Sequence, residues 1–212
     1  MINLVKDLRP RFGIARDQGQ RPTCLAFATS DAHAAVNGPF EPLSVEYLFY
    51  HAVQRMPGKN PHQGINFGAA DEALSNEGQP IESLWPYLPS LPADISNWIP
   101  PAGCAVLKRS LSQSVQPFDG VRVLLEDGRP VIVVLELSAG FFRPDANGIV
   151  HDNDKTSRKG RHAVIAVGHG TLYGGPTLLV RNSWGRKWGL DGHAYLHKSY
   201  VDSRAVAIST VS

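Results

Sequence analysis

The feature that most constrains this chain is a change of hydrophobic period at Asp127-Gly128. Beyond it the apolar residues fall in short, β-branched runs: Val131 to Leu137, Ala163 to His169, Leu178 to Asn182, His193 to His197 and Ala205 to Thr210. Each run is bounded by Gly, Pro, Asn or Asp, the pattern of strands. Ahead of it the spacing is helical. Cys24 to Val36 is apolar nearly all round and is closed by Asn37-Gly38-Pro39, so it reads as a buried helix. Ser44 caps a second helix, Val45 to about Gln54, with Glu46 in its first turn. A third runs from about Phe67 to Asn76, closed by Gly78, and a fourth from Pro117 to Glu126. Helices followed by strands predict an α+β chain of two lobes, a helical one and an antiparallel sheet or barrel, with a groove between them as the natural place for a site. The expected division is one domain over 1–212, helical over about 12–104 and β over about 105–212, with segment 1–11 crossing to the β lobe. Gln79 to Gly103, with six prolines and two of the four tryptophans, is the expected passage between lobes.

Length and charge narrow the function. A chain of 212 residues buries a real core without staples. A net charge of +2, with dispersed lysines and arginines, argues against nucleic acid and anionic membranes as partners. The first ten residues lack a basic segment leading into an apolar run, so no secretory signal is expected, and no stretch approaches the length that spans a bilayer. Two cysteines, Cys24 and Cys104, cannot form a disulfide framework, which points to the cytoplasm, or to export without a cleavable signal.

Cys24 stands where the turn Asp17-Gln18-Gly19-Gln20-Arg21-Pro22-Thr23 becomes helix. The unpartnered amides of a helix start favour a thiolate, the nucleophilic form of cysteine. Gln18 offers a neutral amide donor for an oxyanion. A cysteine nucleophile also needs a base and a group to orient it. His162 opens one predicted strand and Asn182 ends the next, so adjacent strands can present an imidazole and a carboxamide at one rim of a sheet. Taken singly, each of these residues has an ordinary structural reading: a core thiol, a packed histidine, a turn asparagine. Their conjunction points to hydrolase chemistry.

These segments together resemble the papain-like cysteine peptidases, and more their bacterial members than the lysosomal ones. The interval from Gln18 to Cys24 carries the resemblance, with Asn182-Ser183-Trp184-Gly185, Trp188-Gly189 and Gly192. Leu43-Ser44-Val45-Glu46-Tyr47-Leu48 and Glu82-Ser83-Leu84-Trp85-Pro86-Tyr87 support it. His162 and Asn182 follow Cys24 by 138 and 158 positions. The resemblance implies a cysteine endopeptidase acting on protein or peptide substrates through an acyl-enzyme, with Cys24 as nucleophile, His162 as general base and acid, Asn182 orienting the imidazole and Gln18 in the oxyanion hole. It implies that Trp184 covers the Asn–His hydrogen bond, that Gly64, Asn66 and Gly68 echo the strip that binds substrate backbone, and that Val134 and Gly160 line the main specificity pocket. It implies no cofactor and no metal.

Four features depart from the family pattern. Thr23 and Leu25 flank the nucleophile unusually, and Arg21 stands where many relatives have a disulfide cysteine. Arg161, a cation beside His162, favours the thiolate but disfavours the imidazolium. No inhibitory propeptide is expected ahead of the catalytic segment. Two rival readings follow: an amidase, deamidase or acyltransferase acting on a dedicated protein target with the same triad, and a binding module that has lost turnover. The run Arg158-Lys159-Gly160-Arg161 reads as a solvated loop, with recruitment of an acidic substrate as the lesser reading. His151-Asp152-Asn153-Asp154 lacks the ligand count and glycine placement of a calcium loop. His169 and His193 receive no role, and Cys104 reads as a free structural thiol.

Overall fold

In the computed structural model, which describes residues 2–114, 117–152 and 158–212, the second half of the chain forms the sheet. Its strands are β1 (Ile2–Asp7), β2 (Leu111–Ser114), β3 (Val131–Glu136), β4 (Arg161–Leu172), β5 (Gly175–Arg181), β6 (His193–His197) and β7 (Ala205–Val211). They lie in the order β2-β7-β3-β4-β5-β6, every pair antiparallel, with β1 pairing β4 from outside that path. The sheet is open, so the barrel alternative is not adopted. Helices α1 (Cys24–Val36), α2 (Val45–Val53) and α3 (Phe67–Asn76) make the other lobe, while α4 (Phe118–Glu126) and α5 (Lys198–Arg204) pack against the sheet.

β4 is the axis of the sheet lobe. Its first half pairs β3, from Glu136 opposite Arg161 to Val131 opposite Ala166, and its second half pairs β1. Gly168 and Gly170 explain how β1 gets there: a Cβ at Gly170 would strike the carbonyl of Asn3, and one at Gly168 that of Lys6. Glycine in this strand is thus a requirement of backbone approach. Strand β1 itself was not anticipated, because its inward residues Ile2 and Leu4 are only half-buried and give a faint alternation.

One apolar cluster joins the sheet to α1 through Leu25, Ala28 and Ala32, and a second binds Ala26 and Phe27 on the opposite face of α1 to α2 and α3 through Leu48, Phe49 and Leu74. With apolar neighbours on both faces, α1 is buried continuously from Leu25 to Ala35. Each fully buried Leu or Phe in these layers contributes about 1.5–3 kcal/mol of transfer free energy.

Charged groups are also buried here. Asp31 of α1 accepts from Arg181 Nε at 2.9 Å and is gripped by Arg16, and the Arg181 guanidinium also donates to the carbonyls of Gly13 and Ile14. The two arginines hold the Asp31 carboxyl below its ordinary range against the opposing effect of burial. Glu46, wholly buried, takes both Nη atoms of Arg21 at 2.6 and 2.9 Å, the Leu88 amide at 3.0 Å and Trp98 Nε1 at 2.6 Å. A buried ion pair is tolerable when its charged groups are held by further hydrogen bonds, as both oxygens of Glu46 are, although among the described residues Arg21 Nε has no hydrogen-bond partner. Where relatives are expected to staple this turn with a disulfide, the Arg21 to Glu46 pair fastens it to α2 instead.

Candidate active site

Cys24 is the first residue of α1. Thr23 does not cap the helix with its hydroxyl, which meets Tyr87 Oη at 2.9 Å instead. The first-turn amides are therefore left to the sulfur. Burial pushes the Cys24 thiol up, while hydrogen bonds from the backbone amides of Ala163, Leu25 and Cys24 itself pull it down. The Ala163 amide belongs to β4 and follows His162, so strand and helix start meet at the sulfur.

His162 lies within β4, next to its first residue, and Asn182 directly follows β5. Their hydrogen bond, Nε2 to Oδ1, is 2.6 Å long and buried. Asn182 Oδ1 also accepts from the Ser183 amide at 2.8 Å. A backbone amide can only donate, so Oδ1 is the acceptor of both bonds and His162 Nε2 carries the hydrogen. The lone pair of the neutral ring is then on Nδ1. Burial pulls His162 down to about 4, with the Asn182 bond working against it. The sequence assigned Arg161 an influence on this balance. Its side chain is 69% exposed, however, and burial dominates both shifts. Taken singly, both groups prefer their neutral forms. Both side chains line the same cleft, where opposite charges on them would attract more strongly than in water.

Gln18 is buried. Its Nε2 donates to the Arg21 carbonyl at 2.8 Å, and its Oε1 accepts from Ser183 Oγ at 2.6 Å. These two bonds fix the rotamer and leave one amide hydrogen unspent. Tyr87 Oη donates to the Gln18 carbonyl at 2.8 Å, supporting the same turn from below. Trp184 lies over the imidazole, ring centres 4.5 Å apart, and Phe142 stacks on Trp184 at 5.4 Å and 22°. Ser183, Tyr87 and Phe142 were not singled out from the sequence: a serine inside a motif, a tyrosine in a proline-rich coil and a phenylalanine in a loop carry no local signal of these contacts.

Two connected halves of a cleft meet at Cys24, Gly64, Arg161 and His162. One, of about 400 Å³, is apolar, with Leu25, Ile65, Phe67, Val134 and Ala207 among its walls and Asn66 at its edge. The other, of about 700 Å³, is polar and aromatic, with Gln18, Trp184 and Phe142. Gly64, Asn66, Val134 and Trp184 thus reach the cleft. Gly68 and Gly160 do not line it: Gly68 lies in the first turn of α3, and Gly160 meets Leu137 in a backbone hydrogen bond. Asn66 spends its side-chain oxygen capping α3 through the Ala69 amide at 2.8 Å. The Cys104 thiol is half-buried near the Pro101 carbonyl. His169 meets Glu126 at 2.7 Å, and His193 Nδ1 the Asp191 carbonyl at 3.0 Å. His151 pairs with Asp145, and Asp152 with Arg204; Asn153 and Asp154 lie outside the described residues.

A family model described as papain family cysteine protease matches residues 108–211. Among curated proteins the chain is 28% identical over 202 residues to germination-specific cysteine protease 1 of Arabidopsis thaliana, covering 90% of this chain and 50% of that one. It is 26% identical over 208 residues to digestive cysteine proteinase 1 of Homarus americanus, covering 91% and 60%. The chain therefore spans half to three fifths of the length of these relatives. Xylellain, a cysteine protease from Xylella fastidiosa, superposes with a TM-score of 0.80 at 22% identity, over 100% of this chain and 87% of that one. The Carica candamarcensis cysteine protease CMS1MS2, solved in complex with E-64, gives 0.76 at 21% identity over 97% and 96%. This chain is similar in sequence to papain family cysteine proteases and has their fold.

Proposed function

We propose that residues 1–212 form a single catalytic domain that hydrolyses peptide bonds in protein or peptide substrates through Cys24, His162 and Asn182. The observation that carries this reading is the Nε2 to Oδ1 bond of 2.6 Å, because it turns the basic nitrogen of His162 away from Asn182 and makes it the proton acceptor. Cys24 Sγ gives its proton to Nδ1 and bonds to the scissile carbonyl carbon, whose oxygen takes the negative charge. The Cys24 amide and the remaining hydrogen of Gln18 Nε2 receive that oxyanion, a contribution of about 10²–10³ in rate per donor. His162 then protonates the departing amine as the C–N bond breaks, leaving a thioester. Water, losing its proton to Nδ1, attacks the thioester and releases acid and thiolate. The apolar half of the cleft receives a large apolar side chain of the acyl portion, and Gly64 and Asn66 lie beside its backbone. Two free thiols suit work in a reducing compartment such as the cytoplasm.

The test pairs turnover with labelling. An epoxysuccinyl reagent is expected to modify Cys24 stoichiometrically and spare Cys104, and Cys24→Ala to abolish peptide cleavage with an unchanged circular dichroism spectrum. Cleavage surviving that substitution overturns the mechanism. A mass gain of about one dalton on a protein target, without chain scission, would assign the same residues to a deamidase.

A further inference from the structure

Among the described residues, Arg161 is the Arg, Lys, Asp or Glu that lines both halves of the cleft, and its side chain is 69% exposed. Its guanidinium lies 3.9 Å from Glu136 Oε1, across the β3 to β4 ladder, while Arg158 Nε holds the other oxygen of that carboxylate at 2.6 Å. Glu136 is thus already engaged, and Arg161 keeps only a long contact to it. The other charges lining the polar half are differently placed. Arg21 is turned inward onto Glu46, and Asp17 spends Oδ1 on the Gly19 amide while its backbone bridges Trp184. Arg158 and Lys159, just before Arg161 in the chain, add to the positive field at this rim.

The chemistry of the proposed peptidase fixes which part of a substrate passes Arg161. The departing amine takes its proton from His162, so the leaving half must run over the imidazole and out along Trp184 and Phe142, past the neighbouring Arg161. Phe142 is 46% exposed and widens the indole into an aromatic floor. An aromatic floor with a cation at its rim holds the stem of a side chain and pairs its end group.

We propose that Arg161, beside the Phe142 and Trp184 floor, forms a subsite for a carboxylate on the leaving-group side of the scissile bond. Two sources share that chemistry: an aspartate or glutamate side chain immediately after the bond, and the terminal carboxylate of a chain ending there. The inference rests on the peptidase reading and adds its substrate class.

The test uses internally quenched peptides identical except at the first residue after the scissile bond, which is Glu, Gln or Lys, all with amidated C-termini. A shorter Gln peptide, ending just beyond the bond, is made as free acid and as amide, and product masses identify the bond cut. For the native protein, kcat/KM is expected to be about fivefold higher for a carboxylate peptide than for its neutral match, the factor an exposed ion pair supplies. A gain in the Glu peptide assigns the site to an acidic side chain; a gain in the free acid alone assigns it to the chain terminus. The advantage should shrink in about 1 M NaCl, where the Debye length is about 3 Å. Arg161→Glu should reverse the order and favour Lys. Equal cleavage of charged and neutral peptides by the native protein overturns the subsite while leaving the peptidase reading intact, as does a carboxylate preference that survives Arg161→Glu. Cleavage of none of them overturns both.

Discussion

Replacing Glu46 by alanine should unfold this protein far more readily than its distance from the sulfur suggests. The carboxylate accepts four hydrogen bonds, two from Arg21 and one each from Leu88 N and Trp98 Nε1. Its removal leaves a guanidinium, only 7% exposed, without a counter-ion. Breaking one side of a buried pair costs about 3–5 kcal/mol, and an orphaned neutral donor about 1–3 kcal/mol. Some of this is recovered, because Arg21 keeps the Leu88 carbonyl at 2.6 Å and the ring faces of Tyr87 and Phe49 at 5.0 and 5.4 Å. A net loss of about 4 kcal/mol is a large part of the roughly 5–15 kcal/mol typical of a domain. At about 2–4 °C per kcal/mol it lowers the melting temperature by about 8–16 °C. The double variant Arg21→Met with Glu46→Leu removes both charges and fills the space. It is expected to return to within about 2 kcal/mol of the native protein, since apolar replacement of a buried pair is often neutral. Urea unfolding followed by circular dichroism, at neutral pH, measures the cycle. A single variant costing under about 1 kcal/mol, or a double variant no more stable than the single, would refute the claim that this pair fastens the turn in place of a disulfide.

Ser183→Ala removes the hydroxyl that holds Gln18 Oε1, and should lower kcat about fivefold to tenfold with KM little changed; Gln18→Ala should lose about 10²-fold. Full activity in Ser183→Ala beside a crippled Gln18→Ala would show that Ser183 does not position the amide. Acid should weaken the fold before it protonates the carboxylates. His162 and His193 are each held down to about 4 by burial, from an ordinary value of 6.5, Arg181 adding to the effect at His193. The unfolded chain takes up these protons first, so the stability they contribute is present above about pH 6.5 and is lost as pH falls toward 4, about 3 kcal/mol per histidine at full titration. Melting curves of Cys24→Ala between pH 7 and pH 4.5 test this without the thiol; a flat melting temperature over that span contradicts it.

The elements legible in the sequence were those with strong local signals. Helix α1 was marked by apolar residues all round and the stop at Asn37-Gly38-Pro39, and it runs over the expected span; α3 does the same. Cys24, His162 and Asn182 could be singled out because the nucleophile, base and support proposed for them must be particular residue types at element ends. Strands β1 and β2 were not legible, since pairing with distant strands, not their own pattern, makes them strands. Helix α5 is seven residues long and lies between two strands that dominate the pattern. The supports of the site were hidden for the same reason: Ser183 meets Gln18 across 165 positions, and Tyr87 meets it across 69. Gly168, inside the expected strand Ala163 to His169, and Gly170, just past it, carry no sign in the sequence that they are clearance for another backbone.

The ladder between β4 and β5, with Ile165 opposite Arg181, has a mechanical consequence. Imidazole and carboxamide ride on one hydrogen-bonded sheet and move as one body, whereas the sulfur rides on α1 of the helical lobe. Any rocking of the lobes therefore leaves the His162 to Asn182 bond untouched and changes mainly the gap between Sγ and Nδ1. Gln18, moored to Ser183 on the sheet side yet continuous with Cys24 through a short turn, limits that gap as a tether would. On the proposed mechanism reactivity is then governed by a single coordinate, and whatever grips both walls of the cleft also sets the distance over which the proton travels.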